Sequence, residues 1–153
     1  MANGSGTLSK SSRCSEHRIR RRVQFHETDA AGIVHFSCFF RYMEEAEHAL
    51  WRAAGLSIVR SAGGLGFPRV AANFEFHRPL RFEEEFDVSI RIVAIKKKSI
   101  GYACSITRGD ERVATGTLTI VCVSRRPGGE MKAAPIPAEI ADRFEVAAVG
   151  DVT

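Results

Sequence analysis

The sequence predicts an α+β domain in which a curved antiparallel sheet of about five strands wraps around one long central helix. Three observations carry this expectation. One stretch, residues 36–54, repeats its apolar residues every three or four positions, the period of a helix with one buried face. Four later stretches alternate apolar with polar or small residues, the period of a strand with one buried face. A further alternating stretch precedes the helix, so the order is one strand, one helix, then four strands.

Taken along the chain, residues 18–25 form the first strand, with Ile19, Val23 and Phe25 on one side. In the helix, Phe36, Phe39, Phe40, Met43, Ala46, Leu50, Trp51 and Ala54 make a single stripe. The opposite face is charged, with Arg41, Glu44, Glu45, Glu47, His48 and Arg52, and is expected to meet solvent or a second subunit. Gly55 is placed to stop the helix. Residues 57–66 read as a loop. Val70, Ala72, Phe74 and Phe76 start the second strand run, followed by Phe86 to Ile92, Ile100 to Ile106 and, after the Gly109-Asp110 turn, 113–123. Pro127-Gly128-Gly129 is expected to end the sheet, and only weak helical character remains around 138–144.

The domain is expected to span 18–145, between a disordered basic tail (1–17) and a short C-terminal tail (146–153). With 153 residues and 44% hydrophobic content, the chain can bury a core of its own. Residues 1–22 hold six Lys/Arg against Glu16, leaving 16 basic and 17 acidic groups in the rest. A basic tail on a near-neutral body does not describe a nucleic-acid-binding domain. No apolar run approaches the roughly 20 residues that span a bilayer, so no membrane insertion is expected. The N-terminus lacks the apolar segment of a secretory signal, and a cytoplasmic location is expected. Cys14, Cys38, Cys104 and Cys122 are widely spaced without a CxxC pair, which favours free thiols over disulfides or a zinc site.

The chemistry is concentrated in Thr28-Asp29-Ala30-Ala31-Gly32-Ile33-Val34-His35-Phe36, which sets a carboxylate on a turn running into the helix. The first N–H groups of a helix have no partners within it, and the macrodipole makes that end favourable for negative charge. A carboxylate there can attack a carbonyl carbon, or activate a water to do so, while the N–H groups hold the oxyanion. The plainer reading is that Thr28 or Asp29 is an N-cap. Asp29 sits early for that role, with Gly32 and others between it and Phe36.

The residues from Val23 through Phe36, continuing with Phe39, Phe40, Arg41 and Tyr42, resemble the hotdog-fold acyl-CoA thioesterases. The similar branch holds 4-hydroxybenzoyl-CoA thioesterase and its short-chain acyl-CoA relatives. Phe25, Glu27, Thr28, Asp29, Gly32, Ile33, Val34 and Phe36 fit that family's pattern, and the likeness extends over about 18–125. His35 stands six residues after Asp29, where many short-chain relatives carry a His seven after, so the chain falls between two subgroups.

The resemblance implies an acyl-CoA thioesterase that needs no metal or redox cofactor. It implies that Asp29 is the nucleophile or general base and that the backbone N–H of Phe36, with His35 beside it, polarises the thioester carbonyl. Asn73 matches a family position on the strand near the pocket. Lys96, Lys97 and Lys98 fall where relatives place basic residues against CoA phosphates, and Arg125 and Arg126, after the last strand, are expected to join them on the same phosphates. The resemblance further implies a homodimer with the site at its interface, and pairing of dimers into a homotetramer. Glu27 and the acidic helix face offer other carboxylates, without the placement the motif gives Asp29. Two rival readings stay open: a hotdog module that binds acyl-CoA without turnover, and a thioesterase acting on acyl carrier protein.

Overall fold

Helix α1 (Phe36–Ala53) is the axis against which the rest of the chain packs. The computed structural model describes residues 13–60, 64–125 and 127–149. Expectations for 1–12, for Arg126 and for 150–153 lie outside the described residues. Helix α1 buries Phe39, Met43, Ala46, Leu50 and Trp51 of the expected stripe and Tyr42 beside them, while Phe36 at its start is 61% exposed instead of joining the core. It ends where Gly55 takes up φ +78°, a left-handed conformation that glycine adopts without strain.

The described residues form eight strands: β1 (Glu16–Arg22), β2 (Leu65–Gly66), β3 (Arg69–Phe76), β4 (Glu85–Ile95), β5 (Ser99–Arg108), β6 (Glu111–Val121), β7 (Val123–Arg125) and β8 (Met131–Ala133). The main antiparallel sheet has the order β1-β4-β5-β6-β3, and a small second sheet has the order β2-β7-β8. A short helix, α2 (Ala138–Ala141), follows β8. Phe86, Val88, Ile90 and Ile92 of β4, and Ile100, Tyr102, Cys104 and Ile106 of β5, point to the helix and are buried. Each fully buried side chain of this kind stabilises by roughly 1.5–3 kcal/mol. The expected α+β architecture with one helix on a five-stranded sheet is therefore the observed one.

Four local expectations are corrected. The first strand starts at Glu16 and stops at Arg22, because Phe25–Glu27 forms a 3-10 turn fixed by the Glu27 carboxylate, which accepts from the Gln24 N–H at 2.8 Å. Phe25 is consequently 74% exposed rather than part of the core. The last long strand breaks at Cys122, whose N–H donates to the Lys98 carbonyl, and β7 swings away to pair with β2 and β8. Pro127-Gly128-Gly129 belongs to the connection between β7 and β8, so strand pairing resumes beyond it. Glu47 is fully buried instead of lying on a solvated or subunit-facing surface, because Arg69 of β3 reaches across to it.

The strand ends sort the molecule into two poles. The start of β4, the end of β5, the start of β6 and Phe76 of β3 lie at one end. At the other end lie the β4–β5 turn, β7 and the beginning of β3. The ten steps of β4 put about 33 Å between them at ~3.3 Å per residue.

Candidate active site

Asp29 opens a tight hairpin turn. Its carbonyl accepts from the Gly32 N–H at 3.0 Å and its own N–H donates to the Ile33 carbonyl at 2.9 Å. Gly32 has φ +79°, so this is a type I turn closed by a left-handed residue, where glycine is the natural choice. One carboxylate oxygen of Asp29, Oδ1, accepts from the Ala31 N–H at 2.8 Å. Such an Asx contact orients the side chain and leaves Oδ2 without an assigned partner among the described residues.

Thr28 pairs with Val34, and the His35 N–H donates to the Glu27 carbonyl at 2.9 Å. The turn therefore folds back on itself and delivers the chain to the start of α1. Asp29 is not the helix cap. That role belongs to His35, whose Nδ1 accepts from the Ser37 N–H at 3.2 Å and lies 2.7 Å from the Ser37 hydroxyl. An accepting Nδ1 places the ring proton of the neutral imidazole on Nε2. With Ser37 capped by His35 and the Cys38 N–H donating to the His35 carbonyl, the Phe36 N–H is the first-turn donor left open among the described residues. The Phe36 side chain is 61% exposed and its ring lies against His35, centroids 4.6 Å apart.

Sequence reasoning gave Glu27 no such role. It is a buried acid directly behind this turn. Its Oε2 accepts from Arg21 Nη1 at 2.9 Å, while its backbone carbonyl also takes the Cys38 Sγ–H at 3.6 Å. Burial pushes this carboxyl upward, but the Gln24 N–H and the Arg21 guanidinium outweigh burial and hold it below the usual carboxylate range. Arg21 also pairs with Glu45 of α1 at 3.1 Å and sits over the Tyr42 ring at 4.8 Å. Burial, with the adjacent Glu27 charge, holds the Tyr42 phenol far above its usual range and therefore neutral. The signal in the sequence was the run Gln24 to Glu27, a reciprocal cap that fixes a short turn rather than extending a strand.

Other expected site residues lie elsewhere. Asn73 is on the face of β3 turned away from α1, with Oδ1 accepting from both the Thr117 N–H at 3.0 Å and the Thr117 hydroxyl at 2.6 Å. Within one chain it does not join Asp29. Lys96, Lys97 and Lys98 are exposed at the β4–β5 turn, and Arg125 is exposed at the end of β7, all at the pole opposite Asp29. The Lys97 and Lys98 carbonyls are occupied by the Ile136 and Cys122 N–H groups.

A crevice of about 210 Å³ runs between α1 and β3, walled by Phe40, Met43, Ala72 and Leu118, with Arg41, Glu44 and Arg69 at its rim. It begins one turn of helix beyond Phe36. A larger hollow of about 810 Å³ lies over the sheet face away from α1 and contains none of the expected catalytic residues. No cluster of metal-binding side chains occurs among the described residues, and no described helix is long and apolar enough to cross a membrane.

The family whose pattern matches this chain is the thioesterase-like superfamily, over residues 23–144. The crystal structure of a hypothetical protein from Aquifex aeolicus superposes with a TM-score of 0.76 at 31% identity, covering 84% of this chain and 98% of that one. A gentisyl-coenzyme A thioesterase superposes with a TM-score of 0.74 at 27% identity, covering 84% and 99%. The 1,4-dihydroxy-2-naphthoyl-CoA hydrolase of Synechococcus elongatus is 22% identical over 137 residues, 88% of this chain and 98% of its own length.

Proposed function

Because the chain belongs to the thioesterase-like superfamily and has the hotdog fold, we propose that it is an acyl-CoA thioesterase, releasing a free acid and CoA from a short-chain or aromatic acyl-CoA. The observation that carries this reading is the pairing of a half-engaged carboxylate with an open helix donor. Among the described residues Asp29 keeps Oδ2 without a partner, and so does the Phe36 N–H at the positive end of α1.

In this reading the thioester carbonyl oxygen accepts from the Phe36 N–H. Asp29 then follows one of two courses. It adds to the carbonyl carbon, expels the CoA thiolate and leaves a mixed anhydride that water cleaves. Alternatively it takes a proton from water as the hydroxide adds, and the collapsing intermediate expels the thiolate, which receives that proton. A thiolate leaves readily, so the main demand is charge on the carbonyl oxygen, where one positioned donor contributes roughly 3 kcal/mol. The crevice beside α1 suits the acyl group: an apolar cavity of ~150 Å³ holds benzene, and this one measures about 210 Å³.

The reading includes a homodimer joined through β3. Strand β3 is a sheet edge, and its central residues Val70 to Phe74 carry no charge, whereas the other edge, β1, is studded with arginines. Charge protects an edge from pairing, and its absence invites pairing. A two-fold axis at β3 reverses the partner, bringing the partner subunit's Lys96, Lys97, Lys98 and Arg125 to the pole that holds Asp29. There they are suited to CoA phosphates. Pairing of dimers into a tetramer and a cytoplasmic setting, consistent with four free thiols, belong to the same proposal.

The test is thiol release from a panel of aliphatic and aromatic acyl-CoAs, with wild type beside Asp29→Asn. Loss of a catalytic carboxylate is expected to lower kcat by about 100-fold or more while the fold survives. Full turnover in the variant refutes the assignment of Asp29. No turnover of any CoA ester by wild type moves the function to acyl carrier protein or to ligand binding alone.

A further inference from the structure

The Asp29 turn is fastened from behind by an acid that the reaction itself does not use. Glu27 sits two residues before Asp29, is 7% exposed, and makes four separate attachments. Its carboxylate holds the Gln24 N–H at 2.8 Å and the Arg21 guanidinium at 2.9 Å. Its carbonyl holds the His35 N–H at 2.9 Å and the Cys38 thiol at 3.6 Å. These partners come from β1, from the 3-10 turn, from the cap residue of α1 and from the first turn of α1. Arg21 extends the attachment to the helix face through Glu45 and the Tyr42 ring. Asp29 and the Phe36 N–H lie on the two arms of the segment that Glu27 pins at its base.

We propose that Glu27, through its pair with Arg21, is a positioning residue that fixes the Asp29 turn relative to the N-terminus of α1. This rests on the reading of Asp29 and the Phe36 N–H as the reacting carboxylate and the oxyanion donor. The physical case is the contrast between the two ends of the loop. At its tip, residues 30–32 are exposed and, among the described residues, held only by the turn's own hydrogen bonds. All longer-range fastening is at Glu27, Val34 and Ile33, through Arg21, the Leu80 carbonyl and Arg81. Val34 and Ile33 tie one arm to the 80–81 segment. The Thr28–Val34 bridge and the Asp29–Ile33 hydrogen bond also join the arms, but among the described residues Glu27 adds the link to β1 and α1 through Arg21. Apolar packing fills space without fixing angles, whereas a carboxylate held by a backbone N–H on one oxygen and a guanidinium on the other is fixed in direction.

The experiment compares full-length wild type with Glu27→Gln, Arg21→Gln and the double variant. Glutamine keeps the size and one acceptor of Glu27 but removes the charge that Arg21 needs. A ~1 Å misplacement at a reacting centre costs about 100-fold, so kcat is expected to fall by about 10- to 100-fold in each single variant, with KM within about two-fold. The double variant is expected to lose no more than the worse single one, since both act through one pair. Unchanged kcat in Glu27→Gln, measured below its melting point, overturns the proposal even if the melting point drops.

Amide hydrogen exchange supplies a readout that does not depend on turnover. In Glu27→Gln, protection is expected to fall at Asp29, Gly32 and His35 while β5 and β6 keep theirs. Unchanged protection at those three amides overturns the proposal. If wild type hydrolyses no CoA ester, or Asp29→Asn stays active, the functional reading fails instead, and exchange alone decides whether Glu27 pins the turn.

Discussion

Deleting the guanidinium of Arg69 isolates a buried charge in the middle of α1. Glu47 is fully buried, and its Oε1 pairs with Arg69 Nη2 while Oε2 lies 3.5 Å from Nη1. Beneath it the Tyr102 hydroxyl accepts from Trp51 Nε1 at 3.0 Å, so the cluster reaches the core. Burial is the main influence on Glu47 and raises its carboxyl above the usual range, with Arg69 the principal opposing charge. Breaking a buried pair by removing one partner costs roughly 3–5 kcal/mol. The Arg69 side chain is 27% exposed, so water relieves part of the loss and the lower end, ~3 kcal/mol, applies. For a domain of this size each kcal/mol moves the melting point about 2–4 °C, so Arg69→Met should melt ~6–12 °C below wild type near pH 8.

The sign with pH follows from linkage. A carboxyl whose folded pKa is raised binds its proton more tightly when folded, so stability falls as pH rises from the unfolded value through the folded one. Removing Arg69 raises the folded value further and widens that window. The deficit should therefore shrink near pH 5, where the variant can protonate Glu47. Thermal melts of wild type, Arg69→Met and Glu47→Leu/Arg69→Met at both pH values test this, the double variant recovering most of the loss. A deficit under ~1 kcal/mol, or one equal at the two pH values, refutes the reasoning.

Two further outcomes are expected. A Cβ at Gly116 would stand 2.5 Å from the Asn73 carbonyl and 2.8 Å from the Phe74 ring. Gly116→Ala must therefore shift β3 at an overpacking cost of ~1–3 kcal/mol, read by denaturant unfolding; wild-type stability would show that the edge strand yields freely. His35→Ala should lose ~1 kcal/mol with its cap while His35→Asn keeps most of it, and equal stabilities of the two would remove the capping role.

The main architecture was legible because period and burial agree: the spacing of three and four in α1, and of two in β4, β5 and β6, reports which side faces the core. Three kinds of feature were not legible. Glu47 follows the charged side of the helix by spacing, yet is buried, since the register of β3 brings Arg69 over it and no local pattern encodes that crossing. Phe25 alternates correctly with Val23, but the Glu27 side chain captures the Gln24 N–H and turns the chain before the strand can continue. The second sheet rests on the break at Cys122, a long-range hydrogen bond to the β4–β5 turn. At the candidate site, the Asp29 turn and the helix start at Phe36 were visible in the sequence as structure. Alternation puts Asn73 on the polar side of its strand, where it holds Thr117, but does not tell what that side adjoins. The basic residues at 96–98 and 125 were legible as charges, but the sequence does not say at which pole they lie.

The aromatic residues around Asp29 bear directly on the proposed site. Phe25, Phe36, Phe76 and Phe82 are each about half exposed or more, and all lie at the Asp29 pole. Phe25 and Phe82 stack edge to face at 5.6 Å, and Phe76 meets Phe39 of the first helical turn at 5.0 Å. Sequence patterning read several of them as core because an apolar residue bound for a partner or a substrate looks the same as one bound for the interior. Among the described residues no second layer covers them, since helix α1 is packed against the sheet. Thioester hydrolysis gains from dry walls around a developing charge, which strengthen each hydrogen bond within them. An apolar rim that folding alone leaves uncovered is thus the expected property of a site whose remaining wall comes from a second subunit and from the substrate's own acyl group. On the proposed reading, the aromatic surface left exposed on one chain is what keeps the assembled site dry.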